Sequence, residues 1–170
     1  RIDSLQRLQV GPDSAGSAPG PVSYNLGGEL ATITDANARL GLLDPATFAN
    51  GKVELNVSKA GQAIAQQVGE PLGLDTDHAA LAITEIIAEN MANAARVHAS
   101  ESGKQVDSYT LVAFGGAAPL HAARLASKLG ISRVVIPHAA GVGSALGFLW
   151  APVAYQAVRS FYQRLDGADV

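Results

Sequence analysis

Between Tyr109 and Ala126 the chain reads Tyr-Thr-Leu-Val-Ala-Phe-Gly-Gly-Ala-Ala-Pro-Leu-His-Ala-Ala-Arg-Leu-Ala, an order of residue types suited to holding a polar or anionic group. Leu111 to Phe114 is a short apolar run with a β-branched and an aromatic member, which predicts a fully buried strand. Gly115 and Gly116 then allow a sharp turn and expose main-chain atoms that a Cβ would shield. Pro119 suits the first turn of a helix, where its missing N–H is not needed, and Leu120, Ala123 and Leu125 begin the helical period. A ligand placed there would meet free backbone N–H groups at a helix N-terminus. The same spacing also serves as a tight strand-to-helix turn with no ligand.

The four histidines divide by position. His78 and His98 lie 20 residues apart in one helical stretch and cannot share a metal ion. His121 and His138 each follow an apolar strand, which puts both at the carboxyl edge of a parallel sheet, where ligands bind in open α/β folds. A metal site takes about three protein ligands, and no carboxylate partners these two, so no metal is expected. His121 reads instead as a capping or ligand-orienting residue. No serine, histidine and acid are spaced to suggest a hydrolase triad. Gly141-Val142-Gly143-Ser144-Ala145-Leu146-Gly147 has the glycine pattern of a dinucleotide turn. However, Pro137 to Ala140 separates it from the strand, and no acidic strand end follows before Val170. Close packing of a helix on small residues accounts for it better.

The elements that position these residues follow from periodicity. Arg133 to Ile136 forms a second buried strand, so a helix lies between two short apolar strands, the pattern of a parallel crossover. Asp75 to Ser102 is the longest periodic stretch: Ala79, Ile83, Ile86, Ile87, Met91, Ala94 and Val97 make one apolar face, Asp75 or Thr76 the N-cap and Gly103 the stop. Within it Asn93 reads as a solvated surface residue. Val57 to Leu72 is a second helix, ended by Pro71 and Gly73. Thr34 or Asp35 caps a short helix ending at Gly41. Arg1 to Val10 suits a strand or hairpin, Gly141 to Trp150 a helix, and Ala151 to Tyr162 a closing strand or an amphipathic helix. Gly11 to Gly28 has almost no large apolar side chains. It reads either as a flexible linker or as an ordered loop whose glycines and prolines fix the backbone around a site.

With 170 residues, 48% of them hydrophobic, the chain is a plausible single domain or a piece of a larger one. A net charge of −3 without a basic block argues against a nucleic-acid surface, and the absence of cysteine excludes disulfide, thiolate–metal and cysteine-nucleophile chemistry. Val134 to Tyr155 carries no Lys, Arg, Asp or Glu, but its prolines and glycines suit a strand, loop and helix rather than a membrane span. No secretory signal is visible, which points to the cytoplasm. The chain begins at Arg1 and its one methionine is Met91, so its start does not read as a natural one.

Five segments, taken together, resemble the hydantoinase A / 5-oxoprolinase family, which includes subunits of ATP-dependent acetone and acetophenone carboxylases. They are Gly11 to Gly16 with Pro19-Gly20-Pro21; Thr34 to Asn37 with Leu40-Gly41; Asn90-Met91-Ala92; Phe114 to Ala117 with Pro119 to Ala122; and Gly141-Val142 with Ser144 to Gly147. The resemblance implies an α/β fold, part of an actin/sugar-kinase/Hsp70-like ATPase lobe with a mixed sheet and flanking helices. Residues 1–151 would be the C-terminal portion of the ATPase-like domain, with 11–28 an ordered loop in it, and 152–170 a closing segment or the start of a following region. It also implies ATP with Mg2+, the adenosine side resting on Gly115, Gly116, Ala117 and Pro119, with His121 beside the turn and Asp35 and the Gly11–Pro21 loop lining the cleft. The phosphate loops of such proteins do not occur in these residues and are expected upstream of Arg1. Expected partners are the rest of the subunit, a hydantoinase B-type subunit and a small-molecule substrate, with no nucleic acid and no membrane. The implied activity is ATP-dependent activation of a cyclic amide or imide, or of a ketone enol, for hydrolysis or carboxylation by a larger enzyme. The catalytic groups themselves are not identified by it. Ala118 stands where the family usually has glycine, and Gln105-Val106-Asp107 replaces a commoner Asp-Pro-Arg. The alternative is a non-catalytic lobe that retains the fold to build a hetero-oligomer.

Overall fold

Alanine sets how closely the helices of this chain approach. In the computed structural model, which describes residues 1–162 and Arg164, Ala36, Ala38, Ala60, Ala63, Ala79, Ala80, Ala88, Ala92, Ala122 and Ala126 are all buried. Small side chains let helix axes come together where larger ones would hold them apart. Around that core run helices α1 (Ile33–Arg39), α2 (Val57–Ile64), α3 (Glu70–Leu72), α4 (Thr76–Glu101), α5 (Ala118–Leu129) and α6 (Gly143–Trp150), with strands β1 (Leu111–Val112) and β2 (Val134–Val135).

Helix α4 is the spine. At 1.5 Å per residue its 26 residues span roughly 39 Å. Asp75 caps it by accepting from the His78 N–H, and Gly103 follows its end in the left-handed region at φ 63°. Two apolar clusters share this helix. Ala79, Ala80 and Ile83 pack with Ala36, Ile64 and Val68 at one end, and Ala92 packs with Ala126, Leu129 and Ile131 at the other. The buried line therefore differs from the expected apolar face. Ala80, Thr84, Ala88 and Ala92 are inside, while Val97 is exposed, as is Ala94. The reason is that α1 and α2 cover one end of α4 and α5 the other, from a direction that selects the alanine stripe. Asn93 is exposed as expected and accepts from the Arg96 guanidinium at 2.8 Å.

The 57–72 helix is present with one change of pitch. Asn56 caps it by accepting from the Lys59 N–H; a π-turn at Ala65–Gly69 intervenes before α3, and Gly73 ends it at φ 65°. Pro71 lacks the N–H that would reach back one turn, and its ring crowds the preceding carbonyl, so the chain widens just before it.

Strands β1 and β2 pair in parallel, Leu111 opposite Val134 and Val112 opposite Val135, with α5 as the crossover. The strands are not fully buried as expected. Alternate residues face opposite sides of a strand: Leu111 and Val134 pack against the α4–α5 cluster, whereas Val112 is 53% exposed and Val135 43%. Among the described residues only one face of the sheet is covered. Arg1 to Val10 forms the expected hairpin, with an antiparallel bridge between Ile2 and Leu8. Ala151 to Tyr162 forms neither the expected strand nor a helix; Tyr155 is 97% exposed, and alternating side chains gain nothing without a surface to meet. The remainder of the expected 152–170 segment, residues 163 and 165–170, lies outside the described residues. The uncharged stretch from Val134 to Tyr155 is strand, loop, helix α6 and a segment without regular secondary structure, and no described helix is long and apolar enough to cross a membrane.

Candidate functional site

The short helix α1 organises both candidate regions. Its N-cap is Thr32 rather than Thr34 or Asp35: Thr32 Oγ1 accepts from the Asp35 N–H, and the Asp35 carboxylate accepts from the Thr32 N–H, a reciprocal capping box. Asp35 thus occupies the third helical position, where its side chain reaches back over the helix start. There it meets the Gly/Pro-rich loop. Asp35 Oδ1 accepts from the Ser23 N–H at 2.7 Å, and Oδ2 from the Val22 N–H at 3.2 Å, the Thr32 N–H at 2.8 Å and the Thr32 hydroxyl at 2.8 Å. The side chain is fully buried. Asp35 therefore lies beneath the loop and fixes its backbone, instead of lining a cleft.

Glycine allows this loop to cross itself. A Cβ on Gly28 would collide with the carbonyl oxygen of Gly20 and come within 3.0 Å of that of Pro21. Gly20 itself sits at φ 71°, and a Cβ on it would come within 2.9 Å of Ser17 O. Beyond the crossing, Gly11 to Gly16 form one wall of an open cavity of about 550 Å³. Val10, Thr34 and Gln67 face it from other segments, and Ile83 of α4 forms part of its floor.

The strand–glycine–helix region is separate: none of Gly115, Gly116, Ala117, Pro119 and His121 lines that cavity. Gly115 has φ 97° and donates its N–H to Ala140 O at 2.8 Å, so it turns the chain and ties it to the loop after β2. Gly116 is different. Its φ is outside the left-handed region, and a Cβ there would meet nothing within 4 Å. Ala117 is the N-cap of α5 without a side-chain cap, and Pro119 is in the first turn as expected. Among the described residues, the N–H groups of Gly116, Ala117 and Ala118 have no acceptor.

His121, one turn into α5, is half-buried, and desolvation pushes its imidazole below the usual histidine value. Its Nε2 lies 3.2 Å from Nδ2 of Asn37, two residues beyond Asp35 on α1. Asn37 is 3% exposed, and its Oδ1 is buried without a partner. His138, the other histidine expected at the sheet edge, is exposed. In the Gly141–Gly147 stretch, a Cβ on Gly143 would come within 3.8 Å of the Phe114 side chain, an ordinary contact, while Gly141 and Gly147 have open space around them. Asn37 was not distinguishable as a site residue in sequence, because its contact is 84 positions away.

A charge lattice holds α5 against α4. Glu85 accepts from Arg124 at 2.6 and 2.8 Å, Lys128 bridges Glu85 at 3.1 Å and Glu89 at 3.0 Å, and Arg96 binds Glu89 at 2.9 Å and Lys128 O at 2.7 Å. The Arg124 hydrogen bond, with help from Lys128, draws the Glu85 carboxyl down to about 2. Together with the packing of Ala126 and Leu129 on Ala92, this lattice ties to α4 the helix that carries His121.

Comparison with known proteins agrees with this architecture. The chain is 45% identical over 141 residues to the acetophenone carboxylase gamma subunit of Aromatoleum aromaticum, covering 83% of this chain and 19% of that one. It is 37% identical over 165 residues to caprolactamase subunit alpha of Pseudomonas jessenii, covering 97% and 24% respectively. The chain thus spans about a fifth to a quarter of the length of these relatives. The solved ATP-dependent caprolactamase of P. jessenii superimposes with a TM-score of 0.80 at 39% identity, and nucleotide-free acetone carboxylase with 0.79 at 33%; each covers 86% of this chain and 21% of the other. The α/β fold expected of an ATPase-like lobe is therefore shared with enzymes whose structures are known. The hydantoinase/oxoprolinase family model matches residues 1–157, and the chain belongs to that family.

Proposed function

We propose that residues 1–151 form the C-terminal portion of the ATPase-like domain of an ATP-dependent enzyme subunit, and that the nucleotide rests its adenosine side against the Gly115–Gly116 turn. The observation that carries this reading is Gly116. Neither its φ nor any neighbouring atom requires glycine there, whereas a ligand approaching the main chain does. The adjacent N–H groups of Ala117 and Ala118 lack acceptors, and such donors at a helix start suit sugar or phosphate oxygens. The residues present thus fit the group: Gly115 shapes the turn, Gly116 admits the ligand, Ala117 and Pro119 open the helix, and His121 flanks it. Asp35 acts from below, by holding the Gly/Pro-rich loop in shape.

Bound ATP would supply a phosphoryl group: on the oxygen of a cyclic amide or imide it would make that oxygen a good leaving group for hydrolysis, and on a ketone enol it would hold the enol form, whose carbon attacks the carboxyl donor as the P–O bond breaks and the oxygen stays behind as the carbonyl. Hydrolysis or carboxylation then belongs to the rest of the subunit and a hydantoinase B-type partner, in the cytoplasm. The relatives' names, which span carboxylases, a caprolactamase and 5-oxoprolinases, support that range of substrates. Among the described residues no three His, Asp or Glu side chains gather to hold a metal. Mg2+ in this reading accompanies the phosphates, and no step on this chain runs through it.

The test is Gly116→Ala in the intact subunit, with calorimetric titration of Mg-ATP. The fold has room for the methyl group, so the melting temperature is expected to stay unchanged while affinity falls roughly tenfold or more. Unchanged affinity overturns the reading.

A further inference from the structure

We propose that Asn37 is a positioning residue for His121: its side-chain amide donates to Nε2 and holds the neutral imidazole in the Nδ1–H tautomer, leaving Nδ1–H as the ring's free donor. The identity of the ligand oxygen that takes this donor rests on the nucleotide reading above; the tautomer does not.

The argument starts from burial. Asn37 is 3% exposed and lies 3.2 Å from Nε2, so its amide has no water to fall back on and the two groups must satisfy each other. Two orientations of the amide exist. With Nδ2 toward the ring, one Nδ2–H donates to a lone pair on Nε2, and the carbonyl Oδ1 and the second amide hydrogen are left over. With the amide reversed, Nε2–H would donate to Oδ1, and the whole NH2 group would be buried without an acceptor. Buried carbonyl oxygens that lack a partner are tolerated more often than buried N–H groups that lack one. The first orientation is therefore favoured, and it requires Nε2 to be unprotonated. A neutral imidazole then carries its proton on Nδ1. Nδ1 has no hydrogen-bond partner among the described residues, and the half-buried ring keeps part of its edge accessible. Desolvation of the ring works in the same direction, since it disfavours the imidazolium that would place a proton between Nε2 and the amide donor.

The chemical consequence is specific. His121 with Nε2 occupied is neither a metal ligand nor a general base through that nitrogen; it is a neutral, directional donor to an oxygen. The link also joins the two candidate regions. Asp35 on α1 holds the loop at Val22 and Ser23, and Asn37, two residues on, holds the ring at the start of α5.

Long-range proton–nitrogen NMR on the 15N-labelled chain above neutral pH reads the tautomer directly and needs no nucleotide. His98 and His138 are exposed and serve as references for the Nε2–H form that free imidazole prefers. His121 is expected to show the opposite pattern, with protonated Nδ1. Asn37→Leu is expected to shift its Nδ1–H to Nε2–H ratio toward the references by about five- to tenfold, the equivalent of one hydrogen bond. Asn37→Asp, which presents an acceptor to Nε2, is expected to reverse the tautomer. A wild-type His121 found as Nε2–H overturns the proposal without any variant, and so does a ratio that neither substitution moves. Mg-ATP titration of the Gly116→Ala subunit fails or succeeds independently of these spectra, so the two readings are separable.

Discussion

Asp35→Asn isolates what the buried carboxylate does, because it preserves size and shape while replacing one acceptor oxygen by a donor. In the native chain four donors converge on Asp35: Ser23 N–H on Oδ1, and Val22 N–H, Thr32 N–H and the Thr32 hydroxyl on Oδ2. Asparagine can keep the three on one side only by turning its NH2 toward Ser23, at a site where the native separation is 2.7 Å. The least harmful orientation thus strands the buried Ser23 N–H and the new NH2 group facing it, and weakens three bonds that no longer end on a charge. A hydrogen bond to a charged group is worth about 1.5–3 kcal/mol, and a stranded buried donor costs about 1–3 kcal/mol, so the expected loss is about 3 kcal/mol. Asp35→Ala removes all four and the capping box, for a loss of about 5 kcal/mol. Denaturant unfolding with fixed slope reads the magnitude, and amide exchange at Val22 and Ser23 reads the location. If Asp35→Asn changes stability by less than about 0.5 kcal/mol, the value typical of a surface site, and leaves those amides protected, the carboxylate does not hold the loop.

Two other outcomes follow from the same geometry. Gly28→Ala places a methyl group against the backbone oxygen of Gly20, which cannot rotate away, so a loss of at least about 3 kcal/mol is expected in thermal unfolding; Gly41→Ala, at φ 73° with open space around it, is expected to lose only about 1 kcal/mol. The Glu85 carboxyl is depressed from 4.5 to about 2, chiefly by Arg124, so its contribution is complete above pH 4.5 and is lost as pH falls toward 2. The side chain is 32% exposed, and after solvent screening that contribution is about 1 kcal/mol; Glu85→Gln is expected to remove this part of the acid-side slope in a pH series of unfolding curves.

What could be read from the sequence divides by the range of the interaction. The Asp75 cap, the Gly73 and Gly103 stops and the Gly-Gly turn depend on neighbours within a few residues, and their chemistry is visible in residue types alone. The parallel crossover was legible for the same reason, since strand, helix and strand follow one another directly. The apolar face of α4 was misjudged because periodicity reports only that a helix has a face, whereas α1, α2 and α5 decide which alanines are covered along its length. The burial of β1 and β2 was overstated because an apolar run does not say whether both sides of a strand have neighbours. The N-cap of α1 moved from Thr34 or Asp35 to Thr32 through a contest that sequence leaves open: three capping residues within four positions compete, and the reciprocal bond between Thr32 and Asp35 is satisfied only one way.

The site shows the same division within a single helix of seven residues. Asp35 and Asn37 are two apart, about 200° around an ideal helix, so they point to different sides of α1. Thr32-Ile33-Thr34-Asp35 announces a helix start, and from there a buried acid near a capping residue is a foreseeable consequence. That the acid's remaining lone pairs reach back to Val22 and Ser23 depends on the loop crossing at Gly20 and Gly28, which composition presents equally well as a flexible linker. Asn37 announces nothing locally, and its role exists only because the packing of α5 on α4, through Ala126 and Leu129 and through the charge lattice, brings His121 to it. A buried amide with one orphaned oxygen costs stability, and in a chain packed this closely with alanine a leucine would fill the position with less polar loss. An asparagine in that place makes physical sense when the orientation of the imidazole opposite matters more than the stability forgone.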